Sequence, residues 1–112
     1  MENNLWHYKA LVTRVYDGDT ITVDIDLGFN MVLRDQSIRL SGIDTPEIRG
    51  DERPEGLISG NALRERILNK NVIIVTDKDE TGKYGRWLGT IYYNNENLNQ
   101  WLLNEGLATL YR

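Results

Sequence analysis

The chain of 112 residues has no cysteine, one histidine and two prolines, and no apolar run approaches the length needed to span a bilayer. Without thiolate sulfur there is no disulfide, zinc finger, iron–sulfur cluster or thiol nucleophile. A lone imidazole, His7, removes metal sites and catalytic dyads that use histidines in combination. Any metal must therefore rest on oxygen ligands and be a hard cation, calcium or magnesium rather than zinc. Positive charge is also scarce: 13 Lys plus Arg stand against 17 Asp plus Glu, a net charge of -4. A generic nucleic-acid coat needs a basic footprint to displace counterions, so that role is excluded while a local basic patch is not. Nothing after Met1 has the basic and apolar regions of a secretion signal, and an intracellular protein is expected.

What is present is an ordinary globular composition, 40% hydrophobic and 27% charged, far from the signature of disorder. The length suits one domain, residues 1–112. A chain of this size buries roughly 60 to 70 per cent of its unfolded surface, enough for a single core.

The first half reads as strands. A β-prone stretch from Trp6 to Tyr16 is interrupted by Asp17, Gly18 and Asp19. Strict alternation follows, with Ile21, Val23, Ile25 and Leu27 on one side and Thr20, Thr22, Asp24 and Asp26 on the other, the period of a half-buried strand. A bend at Gly28 to Asn30 leads to a third strand, Met31 to Leu40, with a bulge expected at Asp35 and Gln36. From Asp44 to Glu55, Pro46, Pro54 and the charged run Arg49 to Arg53 read as a mobile loop. A helix is expected over Leu57 to Lys70. A short strand Val72 to Thr76, a polar excursion Asp77 to Arg86, a strand Trp87 to Tyr93 and a helix Leu98 to Glu105 capped by Gly106 complete the order. Five strands with a helix between the third and fourth is the order of the OB-fold, a partly open five-stranded Greek-key barrel, here a β-rich α+β protein with two helices.

Three segments concentrate chemistry at turns and strand ends: Asp17-Gly18-Asp19-Thr20, then Arg39 through Asp44-Thr45-Pro46-Glu47, then Lys83-Tyr84-Gly85-Arg86. Two loop carboxylates, Asp19 and Asp44, suit a half-shell for calcium open to a substrate phosphate. Glu47 is a spare carboxylate able to accept a proton from water, a role worth about 10²- to 10⁴-fold. Arg39 and Arg86 suit bidentate phosphate contacts. Singly, each segment also reads as a plain turn, a proline-terminated loop, an edge residue or a solvated hairpin tip.

Together and in this order, the segments resemble the staphylococcal nuclease (thermonuclease) family, from about Ala10 to Tyr111, with Glu105-Gly106-Leu107-Ala108 resembling the close of its second helix. The resemblance implies an OB-fold, calcium-dependent phosphodiesterase that cleaves DNA and RNA with little sequence preference and leaves 3′-phosphate ends. It implies Asp19, Asp44 and the main-chain carbonyl of Thr45 as Ca²⁺ ligands, and Glu47 as the residue that orients or deprotonates water. Arg39 and Arg86 fall on phosphate-binding positions, and Lys83 and Tyr84 on nucleotide-contacting ones. The stretch between Asp19 and Arg39 is longer than in the secreted prototype, so a protruding hairpin is expected, with Phe29, Asn30 and Met31 at its tip as a candidate substrate contact. The chain stops at Arg112, so the family's third helix is expected to be absent.

Alternatives stand beside this reading. A catalytically silent OB-fold binding module would lose the acids, which are intact here. A phage or mobile-element accessory factor with a vestigial site fits the acidic balance. His7 reads as an exposed strand residue rather than a proton relay. Trp6, Trp87 and Trp101 read as core rather than base platforms, with Trp87 the one nearest the motifs. Arg64, Arg66 and Lys70 fit a solvated helix face as well as a phosphate track, and Tyr111 has no assigned role.

Overall fold

A computed structural model of the protein describes residues 5–111. Its elements in chain order are β1 (His7–Asp17), β2 (Thr20–Gly28), β3 (Met31–Leu40), β4 (Ile43–Asp44), α1 (Arg53–Ile67), β5 (Asn71–Thr81), β6 (Trp87–Tyr93), β7 (Glu96–Asn97), α2 (Leu98–Asn104) and β8 (Thr109–Leu110). Antiparallel pairing joins β3 to β2, β2 to β1, β1 to β5 and β5 to β6. Parallel pairing of Ile38, Arg39 and Leu40 with Trp87, Leu88 and Gly89 then closes the sheet. The result is the five-stranded OB-type barrel with two helices.

The alternation read in β2 fills the barrel. Ile21, Val23 and Ile25 are buried with Val12 and Val15 of β1, Ile38 and Leu40 of β3, and Ile74 and Ile91 of β5 and β6. Leu63 and Ile67 of α1 and Leu98 and Leu102 of α2 complete this core. The expected bulge in β3 is present: pairing to β2 slips between Gln36 and Leu33, and Asp35 takes a positive φ of 56°.

Several expectations change. Leu27 is exposed, because β2 and β3 continue past the barrel as a free hairpin. Pro54 opens α1 rather than ending a loop; the first turn of a helix has no use for that N–H, so proline costs nothing there. The helix runs over Arg53–Ile67, earlier at both ends, and Asn69 turns the chain with φ 63°. The Asp44 to Glu55 segment is tied down, with the Glu47 N–H donating to Glu52 Oε1 at 3.0 Å and Arg53 Nη1 to the Ile48 carbonyl at 2.6 Å. The polar excursion after Thr76 is a continuation of β5 to Thr81, held by Asp79, which accepts from Tyr8 and Thr76 hydroxyls.

Of the tryptophans, Trp6 is exposed, while Trp87 and Trp101 are half-buried against the core. His7 lies exposed at the start of β1. Arg64 donates to the Val15 carbonyl, and Arg66 pairs with Glu96 and stacks on Trp101. Those two arginines fasten α1 to its neighbours and do not form a phosphate track.

Candidate active site

Register places the site. Thr20, the first residue of β2, pairs with Asp17 on β1 and Arg39 on β3, and Arg39 pairs with Leu88 on β6. Three chemistry-bearing strand ends thus meet where the barrel closes. β8 pairs with β4, Ile43 with Leu110 and Asp44 with Thr109, which fixes the turn bearing Asp44 beside them.

These ends surround an open cleft of about 800 Å³ lined by Asp19, Arg39, Asp44, Glu47, Tyr84 and Arg86 among others. Six of the residues singled out in the sequence are therefore brought together. Thr45 is buried beneath, and its backbone N–H donates to Asp19 Oδ2 at 3.0 Å. The backbone of Lys83 opens the short 3-10 turn Lys83–Gly85 at the rim; its side chain lies outside the described residues.

Electrostatically the cleft interleaves acids and arginines. Arg39 Nη2 stands 3.5 Å from Asp19 Oδ2 and 3.4 Å from Asp44 Oδ1, while its Nη1 donates to the Leu40 carbonyl at 2.7 Å. Arg86 Nη1 donates to Thr20 Oγ1 at 3.0 Å, and that hydroxyl donates to Asp19 Oδ1 at 3.2 Å. Arg86 Nε and Thr45 Oγ1 are buried without a hydrogen-bond partner among the described residues. A buried polar group left unpaired is costly, and an acceptor entering the cleft that Arg86 lines would remove that cost for its Nε.

Three lining residues escaped the sequence reading of the chemistry. Asp17 is buried beside Asp19 and accepts from the Asp19 backbone N–H at 3.0 Å. Its carboxyl is pushed up to about 7 by burial, by its hydrogen bond with the Asp19 side chain and by that group's charge. In the sequence Asp17 reads as a turn residue that interrupts the strand, whereas β1 runs through it to its end. Thr20 was visible only as a strand start. Tyr111 lies with its ring under Arg39, 5.5 Å from guanidinium carbon to ring centroid, because β8 delivers it there.

The rim turn also differs from expectation. Gly85 takes a positive φ of 72°, and so does Tyr84, at 64°. A left-handed tyrosine is uncommon and such residues concentrate at functional loops. Tyr84 is 88% exposed, and the Arg86 guanidinium lies 5.5 Å from its ring centroid. The Phe29 tip, 98% exposed, is at the other end of the β2–β3 hairpin, roughly 30 Å along the strand from Thr20 at ~3.3 Å per residue. It is not a wall of the cleft.

The sequence profile of the family Staphylococcal nuclease homologue matches residues 37–112. The chain is 37% identical over 101 residues to a thermonuclease of Staphylococcus intermedius, covering 88% of this chain and 56% of that one. It is 36% identical over 104 residues to the thermonuclease of Staphylococcus hyicus, covering 90% of this chain and 57% of that one. An uncharacterized endonuclease of Haemophilus influenzae is 29% identical over 101 residues, 90% of this chain and 51% of its own. The chain spans a little over half the length of the thermonucleases it matches. The family profile takes in the Arg39–Glu47 and Lys83–Arg86 segments that line the cleft, and the chain belongs to the staphylococcal nuclease family.

Proposed function

We propose that the protein is a calcium-dependent nuclease that hydrolyses phosphodiester bonds in DNA, RNA or both with little sequence preference, leaving 3′-phosphate ends. The observation that carries this reading is the junction of Arg39 and Arg86 with Asp19, Asp44 and Glu47 in one cleft, with Arg86 Nε buried and without a hydrogen-bond partner among the described residues. A phosphodiester oxygen is the acceptor such a donor lacks, and guanidinium forks match phosphate oxygens bidentately.

The donor set fits calcium by its chemistry. Asp19, Asp44 and the carbonyl of Thr45 offer oxygens only, the donors that a hard cation takes. Among the described residues no three acidic or imidazole side chains form a ready metal cluster. The protein would therefore supply a half-shell, completed by water and the phosphate itself. When bound there, calcium supplies charge that offsets the phosphate and the charge that builds on it in the transition state.

The chain's own residues account for the rest. Arg39 and Arg86 hold the phosphate and stabilise the added negative charge as water attacks phosphorus. Glu47, exposed at the cleft edge, orients that water and accepts its proton. The bond from phosphorus to the 5′ oxygen breaks, the proton passes to that oxygen, and the 3′ side keeps the phosphate. Lys83 and Tyr84 contact the nucleotide.

The test is a divalent-ion assay on plasmid and heat-denatured DNA and on RNA, with end-group analysis. Fragmentation that needs Ca²⁺, stops with EDTA and yields 3′-phosphate ends is expected. Absence of cleavage across Ca²⁺, Mg²⁺ and Mn²⁺ would refute the enzyme reading.

A further inference from the structure

Three tyrosines line the cleft, and each carries an arginine over its ring: Tyr111 with Arg39, Tyr84 with Arg86, and Tyr16 with Arg14, the last 5.8 Å from guanidinium carbon to ring centroid. The first two arginines belong to the proposed phosphate site. The third pair has no part in that chemistry. Tyr16 is 42% exposed and stands outside the core, and among the described residues Arg14 forms no ion pair.

The backbone around the pair is specialised. Pairing of β1 with β2 slips between Val15 and Asp17, so Tyr16 is an extra residue with no partner on β2. A bulge of this kind bends the strand and re-aims a side chain, and bulges gather beside active sites. A second slip, between Val12 and Arg14, leaves Thr13 and Arg14 both exposed. Arg14 thereby shares the outer face of β1 with Tyr16, where the two meet. An exposed aromatic ring with a cation on it and an unpaired guanidinium beside it suits one class of ligand: an unpaired base joined to a phosphate.

We propose that Tyr16 and Arg14 form a base-stacking subsite for a single-stranded nucleic acid, with Tyr16 under a base and Arg14 on an adjoining phosphate. β1 is two strands from β3, roughly 10 Å round the barrel from Arg39 at the usual strand spacing. The contact therefore falls on a neighbouring nucleotide rather than on the phosphate under attack. This subsite rests on the nuclease reading and deepens it, since it makes turnover depend on strand length.

The experiment compares a dinucleotide with an octanucleotide, DNA or RNA, whichever the wild type cleaves faster, and reads the ratio of their kcat/KM values. Tyr16→Ala should lower the octanucleotide-to-dinucleotide ratio about tenfold, the scale of one lost base–aromatic stack. Tyr16→Phe should keep the wild-type ratio, because the ring is retained. Binding is read independently by fluorescence anisotropy of the labelled octanucleotide in Ca²⁺, in a Glu47→Gln background. There Arg14→Ala should make the slope of log affinity against log salt shallower by about 0.7, one phosphate contact on a single strand. An unchanged ratio in Tyr16→Ala, an equal fall in Tyr16→Phe, or an unaltered salt slope in Arg14→Ala overturns the subsite. Failure of the wild type to cleave either oligonucleotide overturns the nuclease reading beneath it.

Discussion

Arg86 and Asp19 are joined through one hydroxyl: Thr20 Oγ1 accepts from Arg86 Nη1 at 3.0 Å and donates to Asp19 Oδ1 at 3.2 Å. The strand register makes this possible, since Thr20 begins β2 at the point where β3 and β6 close the barrel. Thr20 is thus placed to orient together the arginine proposed to bind phosphate and the carboxylate proposed to bind metal. We expect Thr20→Val, which keeps the shape and removes the hydroxyl, to lower kcat about tenfold, in line with a hydrogen bond to a charged group. Thr20→Ser should restore most of it. A kcat unchanged in Thr20→Val, with normal thermal stability, would show that Arg86 needs no such anchor.

The roles proposed for Asp19 and Arg86 separate in calorimetry. Asp19 is buried and has no replacement on its side of the half-shell except Asp17, whose carboxyl is already raised toward neutrality. Asp19→Ala should lose both Ca²⁺ binding and cleavage. Arg86→Ala should lose cleavage by about 10²- to 10³-fold, the scale of a removed transition-state donor, while titrating with Ca²⁺ as the wild type does. Wild-type Ca²⁺ affinity in Asp19→Ala would remove it from the ligand set.

Stability of the metal-free protein should depend on pH through Asp17. Its carboxyl is raised from an ordinary 3.8 to about 7 in the folded state, first by burial and then by Asp19. Between those values the folded protein holds a proton that the unfolded chain has released, so stability falls as pH rises through that window. In EDTA the melting temperature should therefore drop from about pH 4 to about pH 7, with a few kcal/mol of stability at stake for a shift of this size. Asp17→Asn should flatten the profile and raise the melting temperature at the alkaline end. Ca²⁺ should oppose the alkaline loss in the wild type, because it binds only the folded form. A metal-free melting temperature that rises over the same window would reverse the assignment.

Local chemistry carried much of this architecture into the sequence. The alternation of Ile21, Val23 and Ile25 set the inner face of β2, and the acids and arginines stood at turns because the cleft is made of strand ends. What local pattern does not encode is pairing between distant strands. The parallel contact of Arg39 with Leu88 gives the cleft its walls, yet neither segment carries a sign of the other. Asn99 illustrates the same limit. It sits in an asparagine-rich stretch that reads as a turn and helix start. In the fold it is buried, with Oδ1 accepting from the Ile91 N–H at 3.1 Å and Nδ2 donating to the Ser41 carbonyl at 2.9 Å. That amide ties α2 to the turn after β3, a role that only tertiary contact assigns. Pro54 misleads for a different reason, since proline ends a helix from within but suits its first turn.

Gly56 connects the core to Glu47. It is buried in the first turns of α1, where an added Cβ would stand 2.2 Å from the Glu47 carbonyl oxygen and 2.8 Å from that of Pro46. Both obstacles are backbone, so a methyl group is accommodated only by moving the loop or the helix. The same loop is held from the other side by Glu52, which accepts from the Glu47 N–H, so displacement at Gly56 shifts Glu47 rather than being absorbed elsewhere. Gly56→Ala, a change that favours helix in isolation by about 1 kcal/mol, is therefore expected to destabilise this protein by about 1 to 3 kcal/mol, the cost of overpacking. Below its melting temperature it should also lose kcat, with Ca²⁺ affinity retained to the extent that Asp19 and Asp44 are undisturbed. The control is Gly50→Ala in the same loop, where an added Cβ meets nothing within 4 Å but φ is +68°. It should cost stability through backbone strain alone and leave kcat near the wild-type value. Equal kcat in the two variants would mean that the packing of α1 does not set the position of Glu47.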